Sequence, residues 1–258
     1  MILEFLKYHG TGNDFIIIDN RKNDIVLDEK TIKLLCDRHF GIGADGLMLL
    51  ENAKGYDFRM IYYNSDGKEG TMCGNGGRCI VAFAKKLGIV KDKTKFIAVD
   101  GEHIAELTDS LVSLKMSDLS EFTIVNEDYI LDTGSPHYVK FVSDVNKIDI
   151  YKEGKEIRYS DVVGNDGANI NFAEITDSVI KVGTYERGVE NETLSCGTGV
   201  TAVAISAYQK IGKQKTDFDI ETKGGNLNVR FNERDGKFTD IWLKGPAQFV
   251  FKGSFDIN

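Results

Sequence analysis

Two cysteines in matching settings constrain the fold of this chain more than any other feature. Cys73 lies in a Met-Cys-Gly-Asn-Gly tract and Cys196 in a Ser-Cys-Gly-Thr-Gly tract, 123 residues apart, and an apolar run typical of a helix follows each tract. The spacing matches the offset of an internal repeat, so each half of a duplicated scaffold supplies one thiol. Such a scaffold can address one substrate atom from two opposite faces, which suits racemisation or epimerisation.

The repeat extends along the whole chain at an offset of 122 or 123 residues. Besides the cysteine tracts, four pairs of blocks match in the same order: 11–15 with 133–137, 41–47 with 164–170, 63–64 with 185–186, and 94–96 with 216–218. A period this long indicates a domain duplication, because solenoid repeats run to about 20–50 residues. We therefore expect an N-terminal lobe at residues 1–118, carrying Cys73, and a C-terminal lobe at residues 119–258, carrying Cys196.

Hydrophobic patterning predicts many short strands and few helices. Apolar runs bounded by turn residues predict strands, for example at 15–19 and 58–62. Helical patterns cover 29–39, 80–87 and 200–211. The last two are apolar on most sides, which predicts that they are enclosed. The sequence thus predicts an α+β fold of two pseudo-symmetric lobes from an internal duplication, each with β-strands wrapped around a central α-helix.

Composition excludes several classes of partner. The formal net charge of −8 argues against binding to nucleic acid or to an anionic membrane surface. No apolar stretch approaches the roughly 20 residues that span a bilayer, and the first residues lack the apolar core of a signal peptide. We therefore expect a cytoplasmic protein, whose thiols stay reduced. The sequence has no C-x-x-C or H-E-x-x-H pattern, so we expect no metal site.

The glycine-rich tracts place each of the paired cysteines at a predicted helix N-terminus. Unpaired N–H groups and the helix dipole stabilise a thiolate there. The N–H groups of Gly74, Asn75, Gly197 and Thr198 are then candidates to hold a substrate carboxylate. Donors aimed at a carboxylate lower the barrier to removing its α proton, and a second thiol can return a proton to the opposite face.

The four cysteines allow less reactive interpretations as well. A free cysteine is commonly a small core residue, and we expect Cys36 and Cys79 to serve packing alone. The paired cysteines could also be buried, or could form a redox dithiol. A reducing compartment disfavours the dithiol.

Four sequence blocks together resemble the diaminopimelate epimerase family across essentially the whole chain. They are residues 8–15, 64–67 and 73–79, and residues 185–188 taken with 196–199. The resemblance implies a two-cysteine epimerase that uses no cofactor and interconverts LL- and meso-diaminopimelate on the way to lysine and peptidoglycan. It also implies two pseudo-symmetric lobes, a homodimer, and a chain end (255–258) that returns to the first lobe.

The resemblance assigns roles residue by residue. It implies that the acid/base pair is Cys73 and Cys196, and that the reacting carboxylate is bound by Gly74, Asn75, Gly197 and Thr198. It implies that the amine and the distal amino-acid group of the substrate are bound by Asn13, Asn64, Asn169, Glu186 and Arg187. It also implies that the thiols are tuned electrostatically by His137 and Glu186. Arginine suits a carboxylate and glutamate suits an ammonium group. Two positions depart from the family pattern. Ser135 stands where Asn is common and Gly46 where Gln is common, and no contact is carried over to either.

Three alternative functions remain open on the sequence alone. Proline and hydroxyproline racemases use the same two-thiol chemistry, but typically have His at the position of Asn75 and need no clamp for a distal amino-acid group. Isomerases of the phenazine-biosynthesis type share the fold without the cysteine pair. A protein that binds a diamino acid without turnover would not exchange the α proton with solvent.

Overall fold

The computed structural model describes residues 1–257, and this part of the chain forms two compact units. Unit 1 comprises residues 1–114 together with the chain from Gly245 onward, and unit 2 comprises Lys115–Lys244. The sequence placed the division near residues 117–121 and the return of the chain at 255–258. In the structure the return includes a whole strand. Asn258, the last residue of the expected return, lies outside the described residues.

Unit 1 contains two helices and most of the first seven strands. Its elements are β1 (Ile2–Gly10), β2 (Asn13–Asp19), α1 (Glu29–Cys36), β3 (Gly46–Glu51), β4 (Arg59–Asn64), α2 (Gly74–Lys86), β5 (Lys93–Ala98), β6 (Gly101–Thr108) and β7 (Leu111–Lys115).

Unit 2 continues the chain with two further helices and two short 3₁₀ turns, Val145–Lys147 and Asp161–Val163. Its elements are β8 (Phe122–Val125), β9 (Asp128–Asp132), β10 (Pro136–Phe141), α3 (Ile150–Arg158), β11 (Asn169–Ile175), β12 (Ile180–Glu186), β13 (Asn191–Thr193), α4 (Gly197–Lys210), β14 (Asp217–Thr222), β15 (Gly225–Arg234) and β16 (Lys237–Pro246). The chain ends in β17 (Gln248–Asp256), which pairs with β1 in unit 1.

The two units share one order of strand pairing, which confirms the predicted duplication of the fold. From β1 to β6 successive pairs are antiparallel, parallel, antiparallel, parallel and antiparallel. The series β9, β10, β11, β12, β14 and β15 follows the same alternation. Both series then add an antiparallel strand, β7 or β16. A helix packs within each set of strands, α2 against β1, β2 and β3, and α4 against β10, β11 and β15.

The helices begin and end at positions set by local hydrogen bonds. Asp28 caps α1 by accepting from the backbone N–H of Thr31 at 2.8 Å. The helix ends at Cys36, before the predicted end at residue 39, because the Asp37 carboxylate accepts from the N–H groups of His39 and Phe40. The helices predicted at 80–87 and 200–211 begin earlier, at Gly74 and Gly197, so the glycine-rich tracts form their first turns. None of the helices within residues 1–257 has the length and apolar character to cross a bilayer.

The start of α2 is held in place by a close approach of β1. A Cβ atom on Gly10 would lie 2.9 Å from the carbonyl oxygen of Asn75, in the first turn of α2. Only glycine leaves room for this packing. Further along the helix, Cys79 and Phe83 are fully buried, as expected of an enclosed helix.

Gly10→Ala is expected to lower the free energy of unfolding by about 1–3 kcal/mol, because the added methyl group must displace the first turn of α2. Urea unfolding followed by circular dichroism measures the change. Gly76→Ala is the matched control, because its Cβ meets Met48 Sδ at an ordinary 3.4 Å inside the same helix. We expect the control to be neutral or slightly stabilising. Equal losses in both variants would show that the close approach at Gly10 is unimportant.

Candidate active site

Cys73 and Cys196 are the N-cap residues of equivalent helices. Both have extended backbone conformations, with φ −96° and ψ 135° at Cys73 and φ −123° and ψ 115° at Cys196. Their carbonyl groups accept the first helical hydrogen bonds, from Gly77 N at 2.7 Å and Val200 N at 3.0 Å. Neither first turn contains an acidic residue, so no carboxylate there offsets the positive end of the helix dipole. Both positions therefore favour a thiolate or a bound anion.

In unit 1 the side chains of Cys73, Asn13 and Asn75 converge. The Cys73 thiol donates to Asn13 Oδ1 at 3.7 Å, and Asn75 Nδ2 donates to the same oxygen at 3.4 Å. The other end of the Asn13 amide donates to Asp45 Oδ2 at 2.7 Å. Three residues expected at the site thus contact each other, and Asp45, which the sequence analysis did not single out, orients one of them.

A buried arginine underlies this group. Arg78 is fully buried and donates to Gly74 O at 3.2 Å, to Asn75 Oδ1 at 3.0 Å and to Thr11 Oγ1 at 3.2 Å. Burial lowers the pKa of Arg78. The guanidinium ties the first turn of α2 to the end of β1, so it positions the cysteine tract. No role was assigned to Arg78 from the sequence, although its position in the Cys-Gly-Asn-Gly-Gly-Arg run could have indicated one.

A cluster of four charges supports the strand that carries Asn13. Lys7 is buried and pairs with Asp14 at 2.7 Å, while Arg38 pairs with both Asp14 and Asp45 at 2.7 Å. Burial alone would raise the pKa of Asp14, but hydrogen bonds from Arg38 and Lys7 outweigh that effect and lower the pKa to about 2. Asp14 is therefore ionised at neutral pH and pairs with both Lys7 and Arg38 near the start of β2.

In unit 2 the Cys196 sulfur lies 3.4 Å from Thr198 Oγ1, which in turn lies 2.9 Å from His137 Nε2. Thr133 Oγ1 donates to the carbonyl oxygen of Thr198 at 2.8 Å. His137 is fully buried, and burial together with the charge of Arg187 lowers its pKa to about 3. His137 is therefore neutral at physiological pH, and it reaches the thiol through a hydroxyl group.

Asn169 and Arg187 form a second polar group in unit 2. Asn169 Nδ2 donates to Ser135 Oγ at 3.0 Å, and its Oδ1 accepts from the backbone N–H of Arg187 at 2.8 Å. The Arg187 guanidinium donates to Asp166 O at 3.3 Å. Ser135 therefore uses its hydroxyl to hold Asn169. Glu186, the neighbour of Arg187, accepts from Thr193 Oγ1 at 2.9 Å.

The other positions singled out from the sequence lie outside these two polar groups. Asn64 ends β4 and is exposed, and its backbone N–H donates to Lys68 O at 2.9 Å in the following turn. A Cβ on Gly46 would lie 2.5 Å from the ring of Tyr62, so no side chain fits there. Cys36 and Cys79 are buried, as expected of packing residues, and burial raises the pKa of both thiols, that of Cys36 to about 12.

Two further features of residues 1–257 are the absence of a metal site and a cavity away from Cys73. No group of His, Cys, Asp and Glu in this range has the arrangement of a metal site. A cavity of about 270 Å³ in unit 1 is lined by Lys85, Lys86 and Phe249 at the C-terminal end of α2, the end opposite Cys73.

Asp14→Asn is expected to destabilise the protein by about 3 kcal/mol at pH 7, because it leaves buried Lys7 without its counter-charge. The folded-state pKa of Asp14 lies below its ordinary value of 3.8, so its contribution is complete above about pH 4. That contribution, about 2 kcal/mol, is lost as the pH falls towards 2, and the difference from wild type should shrink over the same interval. Urea unfolding at a series of pH values measures it.

Asp256→Asn is the control for this measurement, because Asp256 pairs with the amino terminus at an exposed position. We expect a loss below about 1 kcal/mol. An Asp14→Asn effect as small as that of the control would contradict the role assigned to the buried pair.

The chain is similar to known proteins along nearly its whole length. A family model described as diaminopimelate epimerase matches residues 5–111 and 129–250. The chain is 53% identical over 258 residues to a diaminopimelate epimerase of Flavobacterium psychrophilum, with 97% of this chain and 99% of that protein covered. It is 41% identical over 259 residues to one of Chlorobaculum tepidum, with 96% and 99% covered.

Solved structures show a shared fold at low sequence identity. A PhzF-family phenazine biosynthesis protein of Bacillus anthracis has a TM-score of 0.81 at 13% identity, and each chain is covered completely. A hydroxyproline epimerase of Agrobacterium vitis with bound trans-4-OH-L-proline has a TM-score of 0.68 at 14% identity, covering 98% of this chain and 92% of that one. These likenesses confirm the expected fold class.

Proposed function

The chain belongs to the diaminopimelate epimerase family, and on that premise we propose that it is an isomerase interconverting LL- and meso-2,6-diaminopimelate. The observation that carries the proposal is the placement of Cys73 and Cys196 at the N-termini of two equivalent helices. Identity of 53% along nearly the whole chain supports diaminopimelate as the substrate. The likeness to a hydroxyproline epimerase rests on 14% identity and supports the fold alone.

The proposed reaction moves one proton off the α carbon and another onto it. A thiolate takes the α proton, and the electron pair left on carbon is delocalised onto the adjacent carboxylate. The thiol on the opposite face gives its proton to the same carbon, which inverts the configuration. The two sulfurs thereby exchange protonation states, so the next turnover starts from the opposite arrangement or after proton exchange with solvent.

The donors at the two helix starts are proposed to lower the barrier to that reaction. The backbone N–H groups of Gly74, Asn75, Gly197 and Thr198 belong to the first turns, where no helical carbonyl is available to them. We propose that they donate to the reacting carboxylate, whose negative charge increases as the proton leaves.

The remaining polar residues are proposed to recognise the amine and the distal amino-acid group. The Arg187 guanidinium suits a carboxylate and Glu186 suits an ammonium group. Asn13, Asn64 and Asn169 supply amides that can serve either. The backbone N–H of Arg187 donates to Asn169 Oδ1, which keeps the two residues side by side. This contact supports a joint role for them in substrate recognition.

Proton NMR of LL-diaminopimelate in D₂O with the reduced protein tests the proposal. We expect deuterium at one α carbon together with meso product, and a loss of inversion rate of about 10²–10⁴-fold in each of Cys73→Ser and Cys196→Ser. Cys36→Ala should retain the rate, because Cys36 is buried against the core.

The other results of that experiment identify the alternatives. Exchange of proline but not of diaminopimelate would make the protein a racemase of the proline type. Binding of diaminopimelate with no exchange would make it a binding protein.

We also propose that the protein is a homodimer and that β17 takes part in the contact. This nine-residue strand is exposed along most of its length, including Phe249, Val250 and Phe251. Long exposed apolar strands tend to pair with another chain. A second copy would cover these side chains.

Val250→Lys is expected to shift the protein from dimer to monomer, because it places a charge in the middle of the apolar strand. Size-exclusion chromatography with light scattering measures the mass. Val99→Lys is the control, since Val99 is similarly exposed, 57% against 50%, but lies outside β17. A wild-type monomer, or equal dissociation by both variants, would contradict the proposed contact.

We place the enzyme in the cytoplasm, because the proposed chemistry needs thiols that stay reduced and that compartment keeps them so. Recovery of the protein in the cytoplasmic fraction of its source cells tests this location. Recovery outside the cytoplasm would contradict it.

A further inference from the structure

The amide of Asn171, on β11, has a fixed orientation. Its Nδ2 donates to the carbonyl oxygen of Tyr138 at 3.0 Å, and a carbonyl oxygen can only accept. Its Oδ1 accepts from Thr184 Oγ1 at 2.9 Å. Asn171 is fully buried, so water does not compete for these bonds. The Nδ2 group therefore acts as a donor towards every neighbour.

This orientation selects the tautomer of His137. Asn171 Nδ2 lies 3.2 Å from His137 Nδ1 and 3.4 Å from Asn169 O, so its two hydrogens are shared among these atoms and Tyr138 O. An amide nitrogen does not accept a hydrogen bond, so a proton on Nδ1 would point at a donor, and Nδ1 therefore carries none. In a neutral imidazole the other nitrogen then carries the proton. His137 is neutral because burial and the facing charge of Arg187 lower its pKa to about 3. His137 Nε2 therefore donates to Thr198 Oγ1, 2.9 Å away.

The hydroxyl of Thr198 is thereby turned towards the Cys196 sulfur. Since its oxygen accepts from His137, its proton is available to the sulfur at 3.4 Å. A donor in contact with sulfur stabilises the thiolate. The space is tight, because a Cβ on Gly199 would lie 2.5 Å from Asn171 Oδ1 and 3.4 Å from the sulfur.

The contact at Cys73 has the opposite direction. The Asp45 carboxylate can only accept, so it draws Asn13 Nδ2 to itself at 2.7 Å and leaves Asn13 Oδ1 facing the sulfur at 3.7 Å. A carbonyl-type oxygen accepts from a thiol and repels a thiolate.

Charged groups act around both sulfurs as well. The positive charge of buried Arg78 attracts a thiolate at Cys73. The hydrogen bonds of Arg78, however, go to Gly74, Asn75 and Thr11. The group that contacts the Cys73 sulfur directly is the acceptor oxygen of Asn13. Burial, and to a smaller extent the charge of Asp14 on β2 beside Asn13, raises the pKa of Cys79 further along α2. Lys7 and Arg38 pair with the Asp14 carboxylate. In unit 2, Glu186 and Arg187 carry opposite charges at the end of β12.

We infer that Cys196 is the thiolate and Cys73 the thiol in the substrate-free enzyme, with Asn171 and Asp45 as the positioning residues that set the two hydrogen-bond directions. The inference rests on the two-thiol reaction proposed above. It assigns Cys196 as the base of the resting enzyme. Epimerisation in one direction therefore starts directly from the resting state, and the other direction requires proton transfer beforehand.

The pH dependence of alkylation at each cysteine tests the inference. The full-length, reduced, substrate-free protein is treated briefly with iodoacetamide across a pH series, and peptide mass spectrometry quantifies modification at each position. The midpoint of each profile reports ionisation independently of exposure. We expect the midpoint of Cys196 to lie at least about one pH unit below that of Cys73. Equal midpoints, or a lower one at Cys73, would overturn the inference.

Variants of Thr198 separate the hydrogen bond from a general effect of the helix. Thr198→Val should raise the Cys196 midpoint by about one pH unit and leave that of Cys73 unchanged, while Thr198→Ser should restore the wild-type value. Thr201→Val is the matched control, because Thr201 is buried in the same helix and its hydroxyl donates to Gly197 O. Equal shifts in Thr198→Val and Thr201→Val would overturn the assignment.

Variants of the positioning residues should act in opposite directions. Asn171→Leu removes the donor that keeps His137 Nδ1 unprotonated, so it should raise the Cys196 midpoint. Asp45→Asn removes the carboxylate that orients the Asn13 amide, so it should lower the Cys73 midpoint. A purely structural role would move both midpoints together or neither. Circular dichroism identifies variants that do not fold, and the wild-type midpoints decide the inference without them.

The same samples distinguish a failed inference from a failed function. Wild-type protein that epimerises diaminopimelate but has equal midpoints refutes the inference and leaves the function standing. Ordered midpoints without epimerisation refute the function and uphold the assignment of the two thiols.

Discussion

The start of a buried helix at a cysteine is the constraint on which the rest of this structure depends. A helix N-terminus leaves N–H groups without helical partners, and these groups attract negative charge. Burying such an end requires partners or a bound anion. The chain accordingly surrounds both helix starts with glycine, amide and hydroxyl groups, and Gly10 and Gly199 admit neighbouring polar atoms that a side chain would exclude. Stability and chemistry therefore come from the same feature.

Fixed hydrogen-bond directions distinguish the two halves of the duplicated fold. Strand pairing follows one order in both units, and each cysteine caps an equivalent helix. The neighbours of the sulfurs nevertheless differ. Asn13 presents an oxygen to Cys73, and Thr198 presents a hydroxyl to Cys196. The proposed two-base reaction needs one sulfur as base and the other as acid at any moment, and unlike surroundings on equivalent scaffolds suit that proposal.

Much of the fold was predictable from the sequence, because repetition and hydrophobic patterning are local signals. The duplication, the enclosed helices and the place of the cysteines at helix starts followed from glycine tracts and apolar runs. Helix ends were predicted less well. The end of α1 depends on the Asp37 carboxylate, which binds N–H groups that a continuing helix would use otherwise. The extent of β17 in unit 1 depends on pairing with β1, at the far end of the chain.

The sequence by itself determined the duplicated α+β fold, the two thiols at helix starts and the family. Each of these depends on residues close together in the chain or on a repeat of one pattern. The tertiary structure alone decided how the groups around the thiols are oriented. Asp45 lies 32 residues from Asn13, and Thr198 lies 61 residues from His137. A hydrogen-bond direction depends on which partner can only accept, and strand pairing and helix packing determine which partners meet.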